Sequence, residues 1–426
     1  MILLAFILAG VMLAVGFEMF LVIGVPALLI KQTFFANMPE VVLVQKMVGG
    51  IDHAVLLAIP FYIFGADLMS EGRLAYLLSR AANVCFGRVR GGVGYGTVVS
   101  CMMFGSVCGS AQATVAALGR LMYPQLKEAG FRERFSLGLI TSSAETALLI
   151  PPSITLIIYG WITETSINRL FAAGMVVGIV LGIAFMLFVM YEVWRNDAAR
   201  ETKVSATGEV AKGMGWALGM PLIILGGIYS GFFTATEAAA MGAFYAVFVE
   251  AVIFRALTWR KFLGIAQRSA ILTSIIFILL AVANVVSFFI TLANVSDLVL
   301  SFMNSVNAGP YTLLLLVNII LLIAGCFMDP GTAILILMPA IFPVAVSMGI
   351  DPVHLGIVVT LTACTSMITP PFGYDLFVTS SLLNKPVTEV TRGSIPFVGV
   401  NLVVLAIVTC VPGMVTFLPN LLFGPS

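Results

Sequence analysis

The sequence predicts an all-α polytopic membrane protein made of two inverted-topology repeats, each of about five spans with one re-entrant helical hairpin and one broken helix. Three observations predict it. Of 426 residues, 60% are hydrophobic and only 10% charged, where a soluble domain carries about 25% charged residues. A mean hydropathy of +1.11 over the whole length spreads that apolar character through the chain instead of confining it to a single anchor. The third is internal: Pro151-Pro152 and Pro370-Pro371, Glu18 and Glu237, and Met122-Tyr-Pro124 and Ile341-Phe-Pro343 are each separated by 219 residues.

The first half reads as follows. At 1.5 Å per residue, residues 1–30 would form a helix of about 45 Å, longer than the roughly 30 Å hydrocarbon core, so two short spans meeting near Gly16 are expected. The stretch lacks a basic leader and a cleavage site, and is read as retained helix. A third span covers 52–69, followed by an amphipathic segment, 74–86, whose Arg73, Arg80, Arg88 and Arg90 suit an interface. Residues 91–130 are too polar between Gly105 and Gln112 for one clean span, and are expected as a re-entrant hairpin. Residues 135–160 hold Thr141 to Thr146 and then Pro151-Pro152. Consecutive prolines remove two amide donors, so this span is expected to break near mid-membrane. An ordinary span, 167–192, precedes the longest hydrophilic segment, 195–213, taken as a cytoplasmic linker between repeats 1–194 and 214–426.

The second half follows the same order: short spans at 216–231 and 236–254, a basic stretch from Arg255 to Arg268, a span at 270–291, and an amphipathic segment near Asp297. A second hairpin, 310–348, is interrupted between Gly325 and Thr332. A second broken span, 355–382, carries Thr369-Pro-Pro-Phe-Gly373, and a last span covers 395–417. With the linker cytoplasmic, the arginine-rich arm, Lys127, Arg132, Arg134, the 255–268 stretch, Lys385 and Arg392 fall on one face, as the excess of basic residues in cytoplasmic loops requires. Five crossings per half then invert the second repeat, and both termini are expected on the outer side.

Several function classes drop out. The 21 basic and 20 acidic residues nearly cancel, and no basic-aromatic surface suggests nucleic acid. Cys85, Cys101, Cys108, Cys326, Cys364 and Cys410 are dispersed without a CxxC, and His53 and His354 are far apart and read as interface residues, so no transition-metal site is expected. The paired aspartate motifs of an intramembrane protease and the HExxH of a metalloprotease are both missing, and no enzyme is expected. Inverted repeats with interrupted helices are instead the architecture of secondary transporters.

A half-helix that ends inside the membrane leaves unpaired backbone groups, and these suit a hard cation such as Na+ at carbonyls and hydroxyls, and a carboxylate at helix N-termini. The sodium-binding candidates are Ser106, Gly109 and Ser110 at the first hairpin, Glu145 and Thr146 on the first broken span, Gly325, Asp329 and Thr332 at the second hairpin, and Thr365 and Ser366 on the second broken span. Thr114, Ser153, Thr369 and Gly373 are the substrate-binding candidates. Glu145, Asp329 and Asp375 are ionisable residues inside predicted membrane segments, where they are costly and usually functional. Asp329 is the strongest of the three. Asp375 and the Glu18/Glu237 pair are read as structural, the latter as acids at helix N-termini.

The segments Gly105-Ser-Val-Cys-Gly-Ser-Ala-Gln-Ala-Thr-Val-Ala-Ala-Leu-Gly119, Pro151-Pro-Ser-Ile-Thr-Leu-Ile-Ile-Tyr-Gly160, Gly325-Cys-Phe-Met-Asp-Pro-Gly-Thr332 and Thr369-Pro-Pro-Phe-Gly373 resemble the signature segments of the large membrane subunit of tripartite ATP-independent periplasmic (TRAP) transporters, as does Thr234-Ala-Thr-Glu-Ala-Ala-Ala240. The resemblance spans essentially the whole chain. It implies sodium-driven uptake of an organic acid across the bacterial inner membrane, with a transport domain moving as an elevator against a scaffold. It further implies two partners, a small four-helix membrane subunit and a soluble periplasmic substrate-binding protein. Gln112 and Thr114 replace the commoner acidic or doubled-serine form of the first motif, and the substrate stays open among sialic acid, C4-dicarboxylates and other small carboxylates. The alternative is a self-sufficient sodium/dicarboxylate symporter of a related inverted-repeat class.

Overall fold

The computed structural model describes residues 2–86, 89–195 and 208–424, which form twenty α-helices and no strand. In the first half, α1 (Ile2–Val15) and α2 (Met19–Phe34) meet beside Gly16, whose φ of +87° only glycine adopts readily. Next come α3 (Glu40–Ile51), a 3₁₀ turn (Ala54–Leu57), α4 (Ala58–Glu71) and the amphipathic α5 (Leu74–Phe86). Helices α6 (Gly92–Cys108) and α7 (Ala111–Glu128) form the first hairpin. The first broken helix is α8 (Glu133–Ala144), with a 3₁₀ turn at Glu145–Leu148, then α9 (Ile154–Thr163). The long α10 (Ile167–Arg195) completes the half.

In the second half, α11 (Gly208–Tyr229) and α12 (Ala235–Phe248), the latter extended by a π-helical turn at Val249–Ile253, precede α13 (Trp259–Leu292) and the short α14 (Val295–Ser305). The second hairpin is α15 (Pro310–Gly325) and α16 (Pro330–Ser347), and the second broken helix is α17 (Pro352–Met367) and α18 (Tyr374–Leu383). The chain closes with α19 (Val387–Cys410) and α20 (Pro412–Phe423). Among the described residues, six helical segments are long and apolar enough to cross a membrane.

Helices end and restart at the glycine- and proline-bearing segments around Gly109, Pro151, Gly325 and Pro370, and two pairs of helix starts keep the 219-residue spacing. Ala111 of α7 and Pro330 of α16 are 219 residues apart, as are Glu133 of α8 and Pro352 of α17. The packing is reciprocal. Helix α7 lies on α18 while α16 lies on α9, and α8 lies on α19 while α17 lies on α10. Each half therefore supplies the wall against which the other half's hairpin and broken helix rest.

Some expectations need correction. Helix α3 is an addition to the expected elements, because its apolar residues are spaced on a surface stripe that leaves only Leu43 and Gly50 buried. The expected basic stretch and span at 255–291 fall mostly on a single 34-residue helix, α13, capped at Thr258. The expected last span is two helices, split where Pro412 opens α20. Of the expected linker, Arg195 and 208–213 are helical and the remainder, like Arg88 of the arm, lies outside the described residues. Glu237 forms the expected capping box with Thr234, whereas Glu18 makes no side-chain cap. His354, expected at an interface, is buried with Nε2 2.9 Å from the Val408 carbonyl oxygen.

The α8–α19 seam shows why the halves lock together. Arg134 Nε donates to Glu389 Oε2 at 2.7 Å, Gly138 meets Gly393, and Asn401 Nδ2 donates to Glu145 Oε2 at 2.9 Å, so the two helices run parallel. At the crossing, a Cβ on Gly138 would stand 2.1 Å from the Gly393 carbonyl oxygen, and one on Gly393 would stand 2.1 Å from that of Arg134. Small residues of this kind let helices in a bilayer approach until backbone packs on backbone. Beside the crossing, Phe135, Phe185, Phe188 and Phe397 tie α10 to both helices, with the Phe188 and Phe397 rings 4.9 Å apart and edge to face. Gly138→Ala is therefore expected to destabilise the fold by about 1–3 kcal/mol, the usual cost of overpacking. Gly399→Ala, on the same helix with open space around it, is expected to leave the thermal unfolding midpoint of the detergent-solubilised protein unchanged or raised.

Candidate functional site

The first hairpin turns in two residues. Gly109 closes α6 at φ +58°, its N–H donating to the Gly105 carbonyl, and Ser110 opens α7, its Oγ accepting from Ala113 N at 3.4 Å. The left-handed backbone requires glycine, and so does the packing: a Cβ on Gly109 would lie 2.5 Å from the Pro152 carbonyl oxygen, and one on Gly105 2.6 Å from Ala147 Cα. The tip is thus pressed into the break of the helix that follows it. That break runs from the 3₁₀ turn through Leu149–Pro152, where the Pro151-Pro152 bond is cis, to Ser153. Ser153 caps α9 by accepting from Leu156 N at 3.2 Å while donating to the Leu148 carbonyl at 2.5 Å.

The second unit repeats the arrangement. Asp329 caps α16, accepting from Thr332 N at 3.1 Å and from the Thr332 hydroxyl, with Pro330 in the first helical position. A Cβ on Gly325 would overlap Ser366 Oγ, at 1.9 Å. Cys326 Sγ sits among carbonyl oxygens of the second break, 3.6 Å from Thr369, 3.9 Å from Ser366 and 4.0 Å from Pro370. The Pro370-Pro371 bond is also cis. Gly373 permits the return into α18, since its Cβ would stand 2.5 Å from the Met367 carbonyl oxygen.

The two units meet. Gln112 Nε2, just past the first tip, lies 3.9 Å from Met367 Sδ at the end of α17, and Gly331, just past the second tip, packs against Ile158 of α9. Four interrupted elements thus converge, and they hold Ser106, Gly109, Ser110, Thr114, Thr146, Ser153, Gly325, Asp329, Thr332, Thr365, Ser366, Thr369 and Gly373 in one region. Most of their hydroxyls share a further property. Ser106 donates to Met103 O, Thr114 to Ser110 O, Thr146 to Ser143 O, Thr365 to Leu361 O, Ser366 to Ala363 O and Thr369 to Thr365 O, at 2.6–2.8 Å. A hydroxyl whose proton is committed to a carbonyl presents only lone pairs to a third group. The region is accordingly rich in acceptors, as a hard cation requires.

Exposure separates the units. The first tip and its break are buried from Gly105 to Gly109 and from Glu145 to Ser153, while Asp329, Phe372 and Tyr374 of the second unit are exposed. One candidate stands apart from the convergence. Glu145 turns its carboxylate toward Asn401 of α19. Asp375 at the start of α18, read from the sequence as structural, is wholly buried with neither carboxyl oxygen hydrogen-bonded. Cys326 and Asn401 are not legible as site residues from sequence, because a lone thiol or amide in an apolar helix carries no spacing signal.

At the ends of these helices remote from the breaks, Tyr123, Glu133 and Lys385 clamp α7, α8 and the turn after α18, with Lys385 Nζ 2.6 Å from Glu133 Oε1 and Tyr123 Oη 3.0 Å from the same oxygen. The hydrogen bond from Lys385 holds the Glu133 carboxyl below the usual carboxylate range.

Similarity to known proteins extends over nearly the whole chain. The family model described as the DctM component of tripartite ATP-independent periplasmic transporters matches residues 2–414. The chain is similar to the ectoine/5-hydroxyectoine TRAP transporter large permease protein UehC of Ruegeria pomeroyi, at 36% identity over 418 residues, 97% of each chain. It is likewise similar to the C4-dicarboxylate TRAP transporter large permease protein DctM of Pseudomonas aeruginosa, at 37% identity over 377 residues, 88% of each chain. In fold it resembles the crystal structure of the Alcanivorax borkumensis YdaH transporter, with a TM-score of 0.63, 12% identity and 87% of each chain covered.

The cap at Asp329 gives a test of this geometry. Asparagine keeps an acceptor for Thr332 N, so Asp329→Asn is expected to leave the thermal midpoint unchanged. Asp329→Ala removes the cap and is expected to cost about 0.5–2 kcal/mol in unfolding experiments on the purified chain.

Proposed function

The chain belongs to the tripartite ATP-independent periplasmic transporter family, as its DctM component, and from that premise we propose that it is the large permease subunit of a sodium-coupled importer of a small organic acid. It is a multi-pass membrane protein and a transporter component. The observation that supports the mechanism best is the seating of each hairpin tip in the break of the following helix, Gly109 against Pro152 and Gly325 against Ser366.

The mechanism follows from that seating. Sodium enters between a tip and its break and is held by carbonyls and by the hydroxyls whose protons are already committed. Ser106, Gly109, Ser110 and Thr146 serve the first ion, and Gly325, Asp329, Thr332, Thr365 and Ser366 the second. Each ion draws the tip against the break and completes the surface between the units. There the N-termini of α7, α9, α16 and α18 offer their partial positive charge to a substrate carboxylate. Thr114 and Ser153 support this surface from behind, and Thr369 and Gly373 border it. Substrate without sodium meets a loose site, and sodium without substrate leaves polar groups uncovered, so the two move together.

The moving body comprises the hairpins and broken helices with α10 and α19, and the scaffold comprises α1–α4 and α11–α13, joined through the amphipathic α5 and α14. The two halves are related as inverted repeats, with both termini on the periplasmic side of the bacterial inner membrane. Substrate is delivered by a periplasmic binding protein, and a small four-helix membrane subunit covers the exposed apolar face of the scaffold, which includes Leu263, Ile271 and Ile275 of α13.

Uptake by proteoliposomes tests this reading. The chain with its small subunit and the soluble binding protein is expected to accumulate substrate only under an inward sodium gradient. Ser106→Ala with Ser110→Ala, and separately Asp329→Asn, are expected to raise the sodium concentration for half-maximal uptake about tenfold, the equivalent of roughly 1.4 kcal/mol. Sodium-driven uptake by this chain alone would favour a self-sufficient symporter, and unchanged sodium dependence in both variants would remove the hairpin assignment.

A further inference from the structure

Glu145, Asp375 and Asn401 come from three helices and meet inside the bundle, away from the hairpin tips. Thr141 Oγ1 donates to Thr379 Oγ1 at 2.9 Å, joining α8 to α18. Glu145 lies four residues beyond Thr141 and Asp375 four residues before Thr379. On two helices that run past each other in opposite senses, one turn from that hydrogen bond brings the two carboxyls to the same level. From α19, Asn401 Nδ2 donates to Glu145 Oε2 at 2.9 Å.

That single bond is all that the group receives. Glu145 Oε1, Asp375 Oδ1 and Oδ2, and Asn401 Oδ1 are buried without a hydrogen-bond partner, and all three residues are wholly buried. Two turns back along the same face of α19, Ser394 Oγ is also unpartnered, as is Ser142 Oγ on α8. No lysine or arginine forms an ion pair with either carboxyl among the described residues. Four buried acceptors without a donor, two of them on one carboxylate, are expensive in a membrane core unless something positive joins them.

The architecture does not demand these residues. At the positions 219 residues away in the other half stand Cys364 for Glu145, Leu156 for Asp375 and Gly182 for Asn401. The repeat folds there with a thiol, an alkyl chain and a glycine, so a packing role leaves the two acids and the amide unexplained.

We propose that Glu145, Asp375 and Asn401 form a third sodium site, separate from the two hairpin sites, in which the ion is shared by Glu145 Oε1, the Asp375 carboxylate and Asn401 Oδ1. The ligands are hard oxygens only, which suits an alkali or alkaline-earth ion and not a soft metal. An ion that must enter and leave in each cycle is held loosely, which favours the monovalent one. The site sits where α8 of the first half and α18 of the second, each one arm of a broken helix, meet α19. Occupancy thereby ties both breaks to one wall. The proposal rests on the reading of the chain as a sodium-coupled carrier.

Its test is the number of sodium ions bound, measured with ²²Na+ on the full chain with its small subunit in nanodiscs. Wild type is expected to bind one more ion per chain than Asp375→Asn or Glu145→Gln, while the Ser106→Ala, Ser110→Ala variant keeps this ion. Asn401→Ala retains both carboxylates and is expected to weaken that one ion about tenfold or more, as loss of groups that hold metal-binding carboxylates does. It also carries the test if an acid variant does not fold. Equal ²²Na+ stoichiometry in wild type and the folded acid variants would overturn the proposal. So would displacement of the extra ion by micromolar calcium, or an effect of the variants on proton uptake alone. Sodium-driven uptake with unchanged stoichiometry in Asp375→Asn would defeat only this site, whereas uptake indifferent to sodium in wild type would defeat the carrier reading beneath it.

Discussion

A helix that stops inside a membrane leaves backbone N–H and C=O groups that lipid cannot satisfy, and the rest of this structure follows from how those groups are covered. The chain interrupts its helices at two tips and two breaks, and covers each tip with a break. The coverage is close, backbone against backbone at Gly105 and Gly109 and backbone against the Ser366 side chain at Gly325, which is why glycine stands at these positions. Side chains complete it. Ser110, Ser153 and Asp329 cap the helices that leave these points, and Thr146, Thr365 and Ser366 return their hydroxyl protons to the preceding turn. What remains is a surplus of oxygen lone pairs in an apolar surrounding.

The covering also dictates how the halves assemble. Because α7 rests on α18 and α16 on α9, neither unit can be completed by its own half. The α8–α19 crossing at Gly138 and Gly393 brings the ends of this exchange into backbone contact, and the phenylalanine cluster beside it fills the space that α10 shares with both. The difference in exposure between the two units has a consequence for access. The first is buried from Gly105 to Gly109 with Ser110 half-buried, while the second presents Asp329, Phe372 and Tyr374 on the surface, so the second tip is the more accessible.

The helix interruptions were legible in the sequence because their causes are local. Paired prolines, glycine at a tight turn and hydroxyls beside it are readable one segment at a time, and Pro151-Pro152, Gly109-Ser110 and Asp329-Pro330 stand where those signals put them. Features whose cause is tertiary were not legible. Helix α3 has only a surface stripe to offer, α13 runs unbroken where its first-half counterpart is interrupted at Asp52–His53, and the division of α19 from α20 depends on a single proline. His354 looked like an interface residue because it is polar and near a helix start, yet α19 supplies a carbonyl that draws it inside. Asp375 is buried with neither carboxyl oxygen hydrogen-bonded. Nothing in its own helix signals that Glu145 and Asn401 will arrive from two others.

The central claim is that the hairpins and broken helices form one body that shifts against the scaffold, and pulsed electron-spin distance measurement tests it most directly. Spin labels at two exposed positions, Ile278 on α13 and Leu402 on α19, report between the bodies, and labels at Leu187 on α10 and Leu402 report within the moving one. In nanodiscs with the small subunit, changing from sodium-free buffer to sodium with substrate is expected to redistribute the first distance between two populations and to leave the second as a single unchanged peak. A fixed distance between α13 and α19 under all conditions, or a change confined to the α10–α19 pair, would contradict it.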